Sequence, residues 1–309
     1  MYKKSKLVYI KAITPVHAGA GQTLETVDMP IQRETHSGIP KIEASSIKGS
    51  LKHQIYLKKI QNDNELEDND DLYKVFGPKD KGEEYASAIN FTDAKLLFFP
   101  VRSGDKIFRL VTCPYVLNRW IEDRGVNVQL NSKDDKQKKK EIEEIKKIES
   151  VKEEIEKIKN VTGGKFISLE DHSDSIIIEE YVFEKESNEI LHKLKELLRD
   201  YADIERVTIL NDSDFIDLVT MYTEIITRNK IDVKTGTAEG TALFTEEYLP
   251  TESILYFNVL ASATFDKEHT KSEEEVMEYF DKNVNEVFHV GGNTTIGKGF
   301  VKIIKKEGV

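Results

Sequence analysis

The stretch covering residues 14–53 concentrates side chains that could do chemistry. It holds a histidine in a glycine-rich loop (His17), an acid between apolar neighbours (Asp28), an arginine (Arg33) and a lysine near a helix start (Lys48). Imidazole and carboxylate groups move protons and bind metal ions, and lysine attracts anions. We therefore expect the rest of the chain to act as scaffold for this stretch.

Asp28 lies in a segment that is predicted to be extended. Met29 precedes a proline, and the residue before a proline avoids the helical region. A carboxylate in such a segment is commonly a solvated loop residue or the partner of a nearby arginine, here Arg33. Its functional alternative is a metal ligand or a proton acceptor. The residues alone leave these interpretations open.

Two flanking motifs could bring the backbone close to a ligand. Residues 17–21 (HAGAG) follow a predicted strand over residues 7–13, and small residues there permit either close approach or a tight turn. Further on, the sequence predicts a helix N-terminus capped by Ser45 or Ser46. Free N–H groups at that end, together with Lys48, favour a bound anion. A capped helix with a solvated lysine is an equal alternative.

A second glycine-rich segment, residues 290–299 (VGGNTTIGKG), leads into a predicted final strand. It is not a nucleotide-binding P-loop, because it precedes a strand rather than a helix and its glycine spacing differs. Its glycines, threonines and lysine predict a backbone surface that could lie against a phosphodiester chain. A tight connection before an edge strand is the alternative interpretation.

The composition limits the possible partners. The 309 residues carry a formal net charge of -11, which argues against indiscriminate nucleic-acid binding. Residues 1–60 nevertheless hold ten basic against four acidic side chains, so a basic face on an acidic body is expected. The single cysteine, Cys113, excludes a disulfide framework and a cysteine-based zinc site. Without an apolar leader or membrane-length apolar run, we expect a soluble, cytoplasmic protein with no membrane partner.

Alternating strands and helices with repeated hairpins predict an α+β fold, ferredoxin-like or RRM-like, in which helices back a sheet. We expect one domain over residues 1–309. Residues 130–162 are predicted to form a charged helical insertion, because lysines and acids surround an apolar stripe at helical spacing. Residues 223–250 predict a two-stranded hairpin that turns at residues 232–236 and carries Arg228, Asn229 and Lys230 outward.

These motifs occur together in a known family. The pattern HAG-G, VD-PIQRE, H-G-P-I and SS-KG over residues 17–49 resembles the RAMP superfamily of CRISPR effector proteins, and within it the backbone subunits of type III-B Cmr complexes. Four further stretches agree in family order: FTDAKLLFFPVRS (91–103), VTCP (111–114), TEIITRNKIDVKTGTAEGTALFTEEYLP (223–250) and HVGGNTTIGKGFV (289–301). The resemblance covers nearly the whole chain and implies a RAMP core with the 223–250 hairpin as its thumb.

The resemblance implies a subunit that binds a CRISPR guide RNA and forms a filament with further copies of itself and other Cmr-complex subunits. Such a subunit cuts paired single-stranded target RNA at regular intervals with Mg²⁺ or Mn²⁺. Asp28 is implied as catalytic acid and metal ligand, and His17, Glu246 and Tyr248 as second-rank catalytic candidates. Arg33 is expected to brace Asp28. The implied RNA-binding residues are Lys48, Ser45, Ser46, Arg228, Gly291, Gly292, Asn293, Gly297 and Lys298.

Two alternatives stay open. In the first, the subunit is a structural guide-binding module and another subunit cuts; an acid at Asp28 speaks against this. In the second, the chain is a metal-independent endonuclease that matures guide RNA, with His17 as general base. Chelation separates the readings, because EDTA abolishes cutting only where metal takes part.

Overall fold

The computed structural model describes residues 2–305 apart from 23–25, 61–65, 69, 80–84, 132–137, 171–172, 187–190, 239–242 and 266–269. These residues form the predicted α+β fold. The strands are β1 (Lys4–Ala12), β2 (Lys41–Ile42), β3 (Ile89–Phe91), β4 (Ala94–Arg102), β5 (Phe108–Thr112), β6 (Lys165–Ser168), β7 (Ser175–Ile178), β8 (Tyr181–Lys185), β9 (Val207–Leu210), β10 (Glu224–Arg228), β11 (Phe244–Tyr248), β12 (Ile254–Ala261), β13 (Val287–His289) and β14 (Phe300–Ile304). The helices are α1 (Ala44–Ile60), α2 (Asp71–Phe76), α3 (Pro114–Asn131), α4 (Lys138–Lys157), α5 (His192–Leu198), α6 (Asp212–Met221) and α7 (Glu273–Asn283).

Twelve strands form one mixed sheet with the spatial order β13-β14-β1-β12-β4-β5-β9-β6-β8-β7, while β2 pairs with β4 and β3 with β12. The β5–β9 and β6–β8 pairs are parallel and the others are antiparallel. The sheet curls back on itself, because a single bridge joins Ile178 of β7 to Ser103 just after β4. In this strand order β1 and β12 lie inside the sheet, so the loop that follows β1 starts from an interior strand.

Helices cover the sheet with apolar faces at the expected spacing. The first helix, α1, buries Ile47, Leu51 and Ile55, as its sequence period predicts. In α3, Trp120 is fully buried, and its indole N–H donates to the Tyr9 hydroxyl at 3.0 Å. None of the helices in the described part of the chain is long and apolar enough to cross a membrane.

Helix α4 occupies most of the segment where a charged helix is predicted. Its second half buries Val151 and Ile155, whereas Ile142 near its start is 52% exposed. The buried Glu154 carboxylate accepts two backbone N–H groups at the start of α5. The apolar stripe thus packs on the body along only part of its length.

The strands β10 and β11 form a separate antiparallel pair, with Glu224 opposite Tyr248 and Arg228 opposite Phe244. Asp232 organises the turn: its main-chain oxygen accepts from the Gly236 N–H at 2.8 Å. Val233 at this tip is almost fully exposed. The hairpin meets the rest of the chain at its base, next to the loop that follows β1.

Candidate active site

Glu246 and Tyr248 lie on one face of β11, because successive strand residues alternate between faces. Both are buried, and the Tyr248 hydroxyl donates to Glu246 Oε2 at 2.6 Å. Burial, and then the Glu246 carboxylate, raise the pKa of Tyr248 to about 12, so its phenol stays protonated. Arg228 Nε lies 2.7 Å from the same Glu246 oxygen. The prediction that Arg228 points outward is therefore wrong, since its guanidinium folds back onto this pair.

The C-terminal glycine-rich loop adds a third group. Asn293 has a left-handed backbone (φ 66°) just before a short 3₁₀ helix, Thr294–Ile296. Its Nδ2 donates to the Tyr248 hydroxyl oxygen at 2.9 Å and lies 3.2 Å from Glu246 Oε2. Lys298 Nζ lies 5.1 Å from the centre of the Tyr248 ring. Glu246, Tyr248, Arg228 and Asn293 thus form one buried network, which joins two of the sequence motifs.

His17 brings the N-terminal motif to the same place. Its Nδ1 lies 2.7 Å from the main-chain oxygen of Glu247, and its ring centre lies 5.5 Å from that of Tyr248. A carbonyl oxygen can only accept, so Nδ1 carries the proton and Nε2 of the neutral ring is an acceptor. A Cβ atom added at Gly19 would lie 2.7 Å from Nε2, which explains the small residue there.

Gly291 permits the close contact between the two glycine-rich loops. Its φ is 84°, and an added Cβ would lie 2.3 Å from the His17 main-chain oxygen. We expect Gly291→Ala to lower the free energy of unfolding by about 3 kcal/mol or more, since left-handed strain and a backbone clash add. Gly297→Ala is the matched control, because φ there is 76° with no atom within 4 Å of the added Cβ. Gly297→Ala should lower the free energy of unfolding by about 1 kcal/mol. Equal losses for the two variants in chemical denaturation would contradict this account.

Asp28 lies beside β11 and is exposed, outside the buried network. Its Oδ2 accepts from the Thr245 N–H at 2.7 Å and from the Thr245 hydroxyl at 2.8 Å. These donors hold the pKa of the Asp28 carboxyl below its ordinary value, so the group is ionised at neutral pH. Within the described ranges no donor contacts Oδ1. One oxygen of Asp28 is thus fixed and the other is accessible.

Arg33 does not brace Asp28, contrary to the prediction. Its guanidinium pairs with the buried carboxylate of Glu247. The same carboxylate accepts from the Ile31 N–H at 2.9 Å and from the Thr223 hydroxyl at 2.7 Å. The Arg33–Glu247 pair therefore joins the segment after Asp28 to the base of the hairpin.

A cleft of about 1150 Å³ lies between α1 and the two glycine-rich loops. Its lining includes His17, Ser46, His53, Gly291 and Gly292. Backbone and small side chains make up much of this wall, so an extended chain could approach it closely. Three of the predicted RNA-binding residues therefore face one concave surface that His17 also borders.

The predicted serine cap of α1 is wrong. The helix begins at Ala44, whose N–H donates to Asp93 Oδ1 at 2.9 Å. Ser45 and Ser46 lie within the first turn instead. Lys48 is half-buried, and burial, followed by a neighbouring lysine, lowers its pKa. Lys48 has no ion-pair partner in the parts of the chain that the structure describes, so its charge is available to an anion.

The site offers few ligands for a metal ion. The described residues contain no group of three or more histidine, cysteine, aspartate or glutamate side chains that could hold one. The Glu246 carboxylate is occupied by Arg228, Tyr248 and Asn293. Asp28 presents a carboxylate oxygen, Oδ1, that has no hydrogen bond among the described residues. It fits a divalent cation whose other ligands are water and phosphate oxygens, as Mg²⁺ commonly has.

The sequence analysis did not identify three residues that contact Asp28, Arg33 or the start of α1: Thr245, Glu247 and Asp93. Thr245 and Glu247 flank Glu246 in the FTEEY sequence of β11, so strand alternation was a signal that they face away from the network. The cap at Asp93 had no such signal, since it is 49 residues from Ala44. Asp28 and Lys48 have no hydrogen bond or ion pair to the network among the described residues.

Comparison with known proteins supports the motif assignment. Residues 9–302 match the model of the RAMP superfamily. The chain is 37% identical to the CRISPR system Cmr endoribonuclease Cmr4 of Pyrococcus furiosus, over 98% of this chain and 96% of that protein. It is 27% identical to the CRISPR system CMR subunit Cmr4 of Saccharolobus solfataricus, again over 98% and 96%.

Solved structures agree. A chain of the type III-B Cmr-beta complex bound to cognate target RNA has a TM-score of 0.74 at 25% identity, covering 98% of this chain and 97% of that one. Oligomeric Cmr4 from Pyrococcus furiosus has a TM-score of 0.64 at 26% identity, covering 99% of both chains. The family predicted from the motifs is confirmed: this chain belongs to the RAMP superfamily and, within it, to the Cmr4 family.

Proposed function

We propose that this chain is a backbone subunit of a type III-B CRISPR complex that holds guide RNA, assembles with copies of itself and other Cmr subunits, and cuts complementary target RNA. Its relatives support this, since one is named an endoribonuclease, one was solved with target RNA and one is oligomeric. The observation that carries the proposal is the convergence of three distant motifs, 17–21, 223–250 and 289–301, beside one cleft.

We assign the reaction to Asp28. Its carboxylate is ionised, held through Oδ2 and accessible at Oδ1. Beside a scissile phosphate it can accept the proton of the neighbouring 2′-hydroxyl, whose oxygen then attacks phosphorus in line. The 5′-oxygen of the next nucleotide leaves and takes up a proton. The products are a 2′,3′-cyclic phosphate and a free 5′-hydroxyl.

The other candidates take different parts. His17 lines the cleft, and Nε2 is the ring nitrogen left to exchange a proton with RNA, since Nδ1 is engaged by the Glu247 main-chain oxygen. Glu246 and Tyr248 are occupied by each other and by Asn293, so we assign them to holding the glycine-rich loop rather than to proton transfer. This arrangement keeps Asn293 and the loop at a fixed distance from His17.

We assign the cleft and the start of α1 to guide RNA. Phosphate contacts from lysine and backbone N–H groups position nucleic acid without reading its sequence. Lys48 supplies charge that no described carboxylate neutralises, and Ser45, Ser46 and the loop glycines supply close approach. Lys298 contacts the Tyr248 ring and lies on the same loop. A backbone subunit needs such sequence-independent contacts because its guides differ in sequence.

Where Asp28 holds Mg²⁺ or Mn²⁺, it would use the same free oxygen, Oδ1, and would then act as a metal ligand in place of the proton acceptor. A divalent cation, when bound, stabilises the charge that develops on a phosphate and lowers the pKa of a bound hydroxyl. We therefore expect EDTA to abolish cutting by the guide-loaded complex while target binding is retained. Adding Mg²⁺ in excess of EDTA should restore cutting to products that end in cyclic phosphate.

The chelation experiment also tests the alternative chemistry. His17 lines the cleft, and its Nδ1 is engaged by the Glu247 main-chain oxygen, which leaves Nε2 as the acceptor and favours a metal-independent endonuclease as the second candidate function. Cutting that persists undiminished in EDTA, and is lost in His17→Ala but not in Asp28→Ala, would support that alternative and overturn the metal-dependent one. The control is EDTA already saturated with Mg²⁺, which should leave the wild-type rate unchanged.

A further inference from the structure

We infer that Thr245 is a positioning residue that sets the orientation of the Asp28 carboxylate for RNA cleavage. The inference rests on the proposed function, in which Asp28 acts on the RNA. Thr245 lies on β11, more than two hundred residues along the chain, and touches Asp28 through three hydrogen bonds. None of the groups in the buried network makes such a contact within the described residues.

The three hydrogen bonds use both polar groups of Thr245. Its N–H and its hydroxyl donate to Asp28 Oδ2, at 2.7 Å and 2.8 Å. The hydroxyl oxygen in turn accepts from the Asp28 N–H at 3.0 Å. A hydroxyl can donate one hydrogen bond and accept others, so serine could replace threonine here and valine could not.

The backbone around Asp28 is fixed separately. The Met29 N–H donates to the Thr245 main-chain oxygen, and the Glu247 N–H donates to the Met29 oxygen, both at 3.0 Å. These bonds hold the Asp28 segment along β11. The remaining freedom of Asp28 is rotation of its exposed side chain. The Thr245 hydrogen bonds therefore decide where Oδ1 lies.

Thr245→Val keeps the branched shape and the backbone N–H but removes both hydroxyl bonds. We expect the guide-loaded complex with this variant to bind target RNA normally and to cut it about tenfold more slowly at saturating target, as for other orienting partners of a reactive group. Thr245→Ser should cut at close to the wild-type rate. A wild-type rate in Thr245→Val, or equal losses in Val and Ser variants, would overturn the inference.

A double variant shows whether Thr245 acts through Asp28. Adding Thr245→Val to Asp28→Ala should cause no further loss of the residual rate, because a coupled pair is not additive. A further tenfold loss would mean that Thr245 acts on its own, which overturns the inference. Cutting at the wild-type rate in Asp28→Ala would instead overturn the proposed function itself. Thermal melting of the isolated subunits, expected to be unchanged in Thr245→Ser and Thr245→Val, excludes misfolding as the cause.

Discussion

Guide-loaded complexes that carry Asp28→Asn are expected to bind target RNA with unchanged affinity and to cut it at least about 100-fold more slowly. The amide oxygen of asparagine can still accept from the Thr245 N–H and hydroxyl, so the geometry beside β11 is kept. What is lost is the negative charge that accepts a proton or attracts a cation. Single-turnover cutting of labelled RNA, beside a binding assay, measures both quantities.

Asp217→Asn is the matched control for this charge change. Asp217 is exposed on α6 and has no hydrogen bond or ion pair to Asp28 or Thr245 among the described residues, so the same substitution there removes one negative charge without changing the contacts of Asp28. It should leave cutting and binding at wild-type values. If Asp28→Asn also cuts normally, the carboxylate has no part in the reaction. If it loses target binding along with cutting, Asp28 serves RNA binding instead.

The Arg33→Met variant is expected to lose about 3–5 kcal/mol of unfolding free energy. Glu247 is buried, and without the guanidinium its negative charge keeps the Ile31 N–H and the Thr223 hydroxyl as its partners among the described residues. A buried unpaired charge is costly because it has given up its hydration. The midpoint of chemical denaturation should fall accordingly, and cutting should weaken as the Asp28 segment loosens from β11.

Lys11→Met provides the comparison for Arg33→Met. Lys11 and Glu252 form a solvent-exposed pair at 3.2 Å, with side-chain exposures of 37% and 40%. Such a pair contributes about 0–1 kcal/mol, so its loss should barely move the denaturation midpoint. Equal effects in the two variants would show that the Arg33–Glu247 pair does not hold the hairpin base.

The sequence predicted the backbone around the site better than the side-chain partners. The hairpin, the C-terminal glycine-rich loop and α1 all form where the hydrophobic period and the turn-forming residues of the sequence predict them. The sequence analysis named His17 and Tyr248 as catalytic candidates and Asn293 as an RNA-binding residue, but it did not predict that the three meet. Their contacts could not be derived from local pattern, because Asn293 reaches Tyr248 across 45 residues and His17 reaches Glu247 across 230.

Two of the wrong predictions, for Arg33 and for the helix cap, share one physical cause: each chose a partner that is nearby in sequence. Arg33 was assigned to Asp28, five residues away, but it pairs with Glu247 because β11 turns that side chain inward. Ser45 or Ser46 was assigned as the helix cap, but the carboxylate of Asp93, which lies between β3 and β4, accepts from the N–H of Ala44 at the start of α1. Long-range packing decides which acid pairs with Arg33 and which residue caps α1. Local sequence patterns do not predict these partners, because they are distant along the chain.

The most direct test of the account mixes wild-type and Asp28→Ala subunits in known proportions before assembly with guide RNA. If each copy of this chain cuts the target that it faces, the cutting rate at every interval should fall in proportion to the fraction of Asp28→Ala, while target binding stays constant. Cutting that is independent of this fraction would place the nuclease in another subunit and leave this chain as a scaffold.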